Sequence, residues 1–204
     1  MADTRLDRRV TRTRRLLREA LLSLILEKGY ESVTIEELAE RAELARGTFY
    51  LHYRDKEDLL LAIVGERIDD LMDQISELPL SSWQLPEDGV AQPIALTFQH
   101  AADHANLYRI VLRGEVTFSI SKRLRAIIME AAGGFLNFKL DKEGLALDPK
   151  IPPRAYISYL AGSWMGTIGW WLEAEMPYEP MDMAAIFQEM FFRGSMGVLE
   201  LDAN

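Results

Sequence analysis

Three groups of residues in this 204-residue chain carry side chains suited to chemistry. The first is Arg46, Thr48, Tyr50 and His52. With Phe49 turned inward on a short helix, these four occupy outward positions. Guanidinium, hydroxyl, phenol and imidazole groups form hydrogen bonds of the kind that base edges and phosphate oxygens accept. Gly47 has no side chain and lets another backbone come close. The second group is His100 and His104, four residues apart on one helix face, where two imidazoles can share a metal ion. A zinc-protease helix needs Glu directly after its first His, and Ala101 stands there. The third group is Arg5, Arg8, Arg9, Arg12, Arg14, Arg15 and Arg18, set against Asp3 and Asp7.

Composition narrows the choices. There are no cysteines, which excludes disulfide frameworks, thiolate zinc sites and cysteine nucleophiles and suits a reducing cytoplasm. No Ser–His–Asp motif, phosphate loop or dinucleotide fingerprint is present. The N-terminus is charged and reads as no secretory signal. Apolar residues make up 49% of the chain, enough for a sizeable core. The net charge of −9 is uneven: residues 1–60 balance 12 basic against 12 acidic groups, and the rest carry 11 against 20. An acidic protein with one basic edge meets a polyanion by that edge. Residues 155–172 run for 18 positions without a charge. Interrupted by Gly, Ser and Thr, they read as a core or interface helix rather than a membrane span.

The elements that position these groups are all helical. Val10, Leu17, Leu21, Leu24 and Ile25 give residues 10–28 a helical period, and Gly29 follows as a stop. Thr34 with Glu37 forms a capping box opening the next helix, whose inner face is Ile35, Leu38, Ala39 and Ala42. A break at 43–45 leads to a short helix over 46–53, with Leu44 and Phe49 as inward anchors. Asp55 caps a long helix over 56–77. After a turn-rich stretch at 79–89, helices are expected at about 91–104, 105–113, 117–140, 153–174 and 182–200. No convincing period-two alternation occurs, so strands are not expected.

The string TIEELAERAELARGTFYLHYRDKEDLL, residues 34–60, closely resembles the N-terminal domain of TetR-family transcriptional regulators. The GTFY at 47–50, the aromatic Tyr53 and the KEDLL at 56–60 weigh most. The resemblance implies an all-α fold, with a three-helix helix-turn-helix DNA-binding domain (1–55) joined by a long helix to a regulatory and dimerisation domain (56–204). It implies a cytoplasmic, sequence-specific DNA-binding regulator, not an enzyme, and with no cofactor and no membrane partner. Many members are repressors released from double-stranded operator DNA by a small-molecule effector. Residue by residue, Thr34 is expected to touch a phosphate. Arg46 and Thr48 face base edges, Tyr50 and His52 meet phosphates or a thymine methyl, Tyr53 packs near the sugar-phosphate rail, and Lys56 pairs with a phosphate. Two positions depart from the family pattern. Glu43 stands where the turn usually has Gly, and Ala45 stands where a Ser or Thr usually caps the second helix.

One short reading helix spans few base pairs, so a homodimer placing two about 34 Å apart is expected. Its interface falls on the last two helices, where Gly162 and Gly166 allow close approach. The middle helices are expected to enclose an effector pocket, with Phe98, His104, Tyr108, Phe118, Phe135, Phe138, Trp164 and Met165 as candidate lining. Arg109 or Arg113 is a candidate for an anionic ligand. Two other readings remain: a helical metal-binding or enzymatic protein using His100 and His104, and a scaffold whose N-terminal unit binds protein.

Overall fold

The computed structural model describes residues 2–83, 89–112, 122–123, 125–131, 133–134 and 150–198, and the described residues are helical with no strand. The elements are α1 (Ala2–Lys28), α2 (Ile35–Arg41), α3 (Arg46–Tyr50), α4 (Lys56–Ser76), a 3-10 turn (Leu80–Trp83), α5 (Gln92–Asp103), α6 (Ala105–Leu112), α7 (Pro153–Glu173) and α8 (Pro180–Val198). Helical residues also occur within 122–134. Three differences from the sequence expectation are local. The first helix begins at Ala2, well before the apolar period that marks its core-facing stretch. The short helix ends at Tyr50 rather than near 53, and the last one starts with Pro180, whose fixed φ suits a first helical position. Phe118, Phe135, Phe138 and Arg113 lie outside the described residues.

The chain divides into two compact units: residues 1–67 with 110–127, and residues 68–109 with 128–204. In the first unit, Leu17, Leu21, Leu38, Phe49, Leu59 and Leu60 are completely buried, so α1 to α4 share one core. The loop between α1 and α2 is held by Lys56, whose Nζ donates to the carbonyls of Tyr30, Glu31 and Val33 at 2.9, 3.0 and 3.1 Å. The same ammonium lies over the Tyr30 ring, 4.5 Å from its centre. Arg18 of α1 pairs with Glu66 of α4. In the second unit, α5, α7 and α8 meet through Phe98, Trp171 and Phe187. The Trp171 indole N–H donates to the Tyr178 carbonyl at 3.0 Å. Gln188 ties α8 to the start of α5 by accepting from the Ala91 N–H and donating to the Gly89 carbonyl.

The start of α2 is fixed by the capping box expected from its sequence. The Thr34 hydroxyl accepts from the Glu37 N–H at 3.3 Å, and the Glu37 carboxylate accepts from the Thr34 N–H at 3.0 Å. Glu37 also pairs with Lys28 at 2.5 Å. The Lys28 and Thr34 contacts hold its carboxyl down at about 2, against an ordinary 4.5. A carboxyl depressed in the folded state adds stability that is complete above its unfolded pKa and disappears as the pH falls toward the folded one. Glu37→Gln is therefore expected to lower the urea midpoint at pH 7 and to converge on the parent between about pH 4.5 and 2. A constant gap across that window would reject the contribution of Glu37.

Candidate DNA-reading face

The turn after α2 sets the direction of α3. Ala42 ends α2, Glu43 takes a left-handed φ of +55°, and Leu44 turns inward. The Glu43 N–H donates to the Glu40 carbonyl at 3.0 Å and the Leu44 N–H to the Ala39 carbonyl at 2.9 Å. These two bonds form the Schellman arrangement, which usually has glycine at the left-handed position. A side chain there costs on the order of 1–2 kcal/mol, so this turn carries local strain. Ala45 opens α3 without a side-chain cap.

Phe49 is fully buried and holds α3 to the core. Its ring meets Tyr50 edge-on at 5.4 Å and lies 6.1 Å from Tyr53. With that face inward, Arg46, Gly47 and Tyr50 are exposed, while Thr48 and His52 are partly so. A Cβ built on Gly47 would meet nothing within 4 Å, so no contact with the described residues requires glycine there. Leu51, at the C-terminal edge of α3, is 82% exposed. The sequence reading passed over it, although its place between two outward residues was a signal. Burial, and then Arg14, push the His52 imidazole below its ordinary pKa.

The structure gives four of the expected contact residues further duties. The Arg46 guanidinium pairs with Glu36 at 2.8 Å and donates to the Tyr50 hydroxyl at 3.4 Å. Thr34 has both its N–H and its hydroxyl proton engaged by Glu37. Tyr53 is buried beside Phe49, so it packs in the core of the unit. Lys56 is engaged within the fold as well. Its three N–H bonds already have three carbonyl acceptors, so the ammonium acts as a clamp on the α1–α2 loop. Beside the turn, a hollow of about 430 Å³ is lined by Arg9, Arg12, Thr13 and Leu16 of α1 and by Arg41, Ala42, Glu43 and Leu44. Arg41 is held there by Glu27, whose carboxyl is kept down at about 2 by Arg41 and Ser23.

In the second unit, the expected effector residues fall into two groups. Phe98 and Trp164 lie 5.5 Å apart and pack with Phe187, on which Trp164 stacks at 4.0 Å. Phe98 is completely buried, so it fills core rather than lining a hollow. His104 and Tyr108 gather around His100, with ring centres 4.6 and 5.9 Å from it. Among the described residues, no three metal-ligating side chains come close enough to hold an ion. Arg109 is drawn to the end of α7, donating to the Leu172 carbonyl at 3.1 Å and pairing with Glu175 at 3.2 Å. Met165 is partly buried on α7. Among the described residues, no helix is long and apolar enough to cross a membrane.

A capped helix, a left-handed turn and a short second helix anchored by one aromatic ring define a helix-turn-helix module of the DNA-binding kind. The profile for bacterial regulatory proteins of the tetR family matches residues 17–63, and that for a transcriptional regulator C-terminal region matches residues 90–193. The chain belongs to the TetR family of DNA-binding transcriptional regulators. It is 26% identical over 185 residues to the uncharacterized HTH-type transcriptional regulator YxbF of Bacillus subtilis, covering 78% of this chain and 47% of that protein. It is 29% identical over 119 residues to the fatty acid metabolism regulator protein of the same organism, covering 58% of this chain and 60% of that one. The chain thus spans about half the length of these curated relatives. The Bacillus subtilis transcriptional regulator FadR, solved in complex with stearoyl-CoA, shares the fold with a TM-score of 0.62 at 20% identity. That match covers 88% of this chain and 97% of the other.

Two substitutions separate the architecture of this face from its use. Glu43→Gly is expected to raise unfolding stability by about 0.5–1 kcal/mol, the strain relieved less the extra chain entropy of glycine. A lowered urea midpoint would contradict the strain argument. Gly47→Ala is expected to leave thermal unfolding unchanged or slightly raised, since alanine is the better helix former. The same variant is expected to weaken duplex binding, because the added methyl group faces outward. Undiminished binding would remove Gly47 from the contact face.

Proposed function

We propose that the chain is a repressor that binds its operator as a homodimer and is released when a small effector occupies the second unit. The observation that carries the reading is the outward face of α3. Phe49 is wholly buried, while Arg46, Gly47, Tyr50 and Leu51 stand exposed on the opposite side. A helix this short projects into a major groove only if its inner side is held in place, and this one is. Arg46 and Thr48 read base edges, and Tyr50 and His52 meet phosphates or a thymine methyl. Thr34 lies near the backbone at the start of α2. The exposed Arg8, Arg9, Arg12, Arg14 and Arg15 of α1 draw in the flanking phosphates, with Arg9 and Arg12 beside the hollow at the turn.

The dimer forms through α7 and α8. Tyr159, Gly162, Gly166 and Trp170 follow one another along one side of α7 and are all exposed. Among the described residues, neither glycine has a neighbour within 4 Å of a built Cβ, which leaves room for a second helix. Met181, Ile186 and Met190 extend the apolar surface along α8. An uncharged face of this extent on a soluble helix marks an interaction surface. The effector shifts the balance between dimer forms by no more than its difference in affinity for them. The stearoyl-CoA held by the FadR neighbour makes a long-chain acyl-CoA the first ligand to test.

Selection from a pool of random duplexes provides the test. The full chain is expected to recover a two-fold symmetric sequence with half-sites about one helical turn apart. Arg46→Ala is expected to relax one position in each half-site, at a cost of about 1–3 kcal/mol in discrimination. Unaltered preference would reject the reading role. Trp170→Asp, at a position 51% exposed, is expected to yield a folded monomer by light scattering with much weaker operator binding. A dimer that survives this change would move the interface elsewhere. Addition of stearoyl-CoA is expected to release the selected duplex, and retention at saturating ligand would exclude that effector class.

A further inference from the structure

We infer that Glu36 is a positioning residue for base reading: it holds the Arg46 guanidinium in its reading orientation while the protein is on DNA. The inference rests on the base-reading role proposed for Arg46.

Glu36 lies in the first turn of α2, one helix before α3. Its carboxylate pairs with Arg46 Nη1 at 2.8 Å, and both side chains are well exposed, at 58% and 59%. A carboxylate on a surface that meets a polyanion is unfavourable unless it has a specific duty. Capping does not supply that duty, because Glu37 performs it through Thr34. The other side of the guanidinium is held by Tyr50, whose hydroxyl accepts from Nη2 at 3.4 Å and whose ring lies 5.8 Å from the guanidinium carbon. Two of the five guanidinium N–H bonds are engaged in this way, and three remain, enough for the two-bond contact to guanine O6 and N7.

The consequence is selectivity rather than affinity. A guanidinium held on two sides loses little freedom when it meets guanine, and it leaves Glu36 only at a cost when a phosphate is the sole alternative. Without Glu36, the same side chain swings to any nearby phosphate, which every duplex offers. The bridge therefore favours the correct sequence over the rest by an amount typical of an exposed ion pair, a factor of about two to five.

The experiment uses the full chain, the duplex it selects and a scrambled duplex of equal length, with affinities read by fluorescence anisotropy over a salt series. Circular dichroism checks that the variants remain folded. Glu36→Gln is expected to lower the ratio of selected to scrambled affinity about two- to fivefold for each half-site. It is also expected to steepen the salt slope on the scrambled duplex by about two units, one for the newly freed phosphate contact of each subunit. In an Arg46→Ala background, the change at Glu36 is expected to leave the ratio as it was. A rise in both affinities by one common factor would show plain charge repulsion and overturn the inference. A drop in the ratio that persists without Arg46, or altered preference at a base position other than the one Arg46 sets, would overturn it too. If Arg46→Ala alone leaves the selected sequence unchanged, the underlying reading fails. If it relaxes that sequence while Glu36→Gln does not move the ratio, only the role of Glu36 fails.

Discussion

The burial of one ring holds the reading face together. Helix α3 has five residues, too few to stay helical on their own, because forming the first turn is unfavourable and little propagation follows. Its N-terminus has no side-chain cap. Full burial of Phe49 contributes about 1.5–3 kcal/mol and fixes which side of the helix faces out. The turn before it adds direction, with two backbone bonds that swing the chain sharply after Ala42. The strain at Glu43 is tolerated because those bonds and the buried Leu38 and Ala39 leave the turn no other course. The exposed positions of Arg46, Gly47 and Tyr50 all follow from the ring on the opposite side.

Local rules made much of the first unit legible. The Thr34–Glu37 pair announced the start of α2, and the spacing of Ala39, Leu44 and Phe49 announced the crossing of α2 and α3. Glu43 stood out in the sequence as a departure where the turn usually has Gly, and its φ of +55° puts it in the left-handed region. The use of long polar side chains was less legible. Lys56 looks like a phosphate contact in the chain, but the approach of the α1–α2 loop puts three carbonyls within its reach. Glu36 has no distinguishing signal in the sequence, because its meaning depends on where the next helix brings Arg46. Both residues act through contacts made by folding, between segments that no local pattern links.

The second unit shows a different limit. Sequence spacing picked out aromatic residues that do gather, but spacing cannot tell a filled core from a lined hollow. Phe98 touches Trp164, Trp171 and Phe187, and Phe187 in turn stacks on Phe191. A ligand entering between these rings must first separate them. Packed aromatic groups give way in discrete steps, since interiors are close-packed and do not deform continuously. Under the proposed effector release, a unit built in this way changes by choosing between arrangements. That property suits a switch better than a rigid, preformed cup.

Helix α7 explains the long uncharged run in the sequence. Its inner side buries Ala161, Ile168, Trp171 and Leu172 against the rest of its unit. Its outer side presents Tyr159, Gly162, Gly166 and Trp170. A helix exposed on one side in its working state ordinarily carries charge there, because amphipathic patterning follows the water. This one carries none between residues 155 and 172, so its pattern is that of a helix covered on both sides. One cover is the core of its own unit. The other is supplied by the partner proposed above, and the paired glycines, with nothing among the described residues within 4 Å of them, leave room for the close approach that an identical helix makes across a two-fold axis.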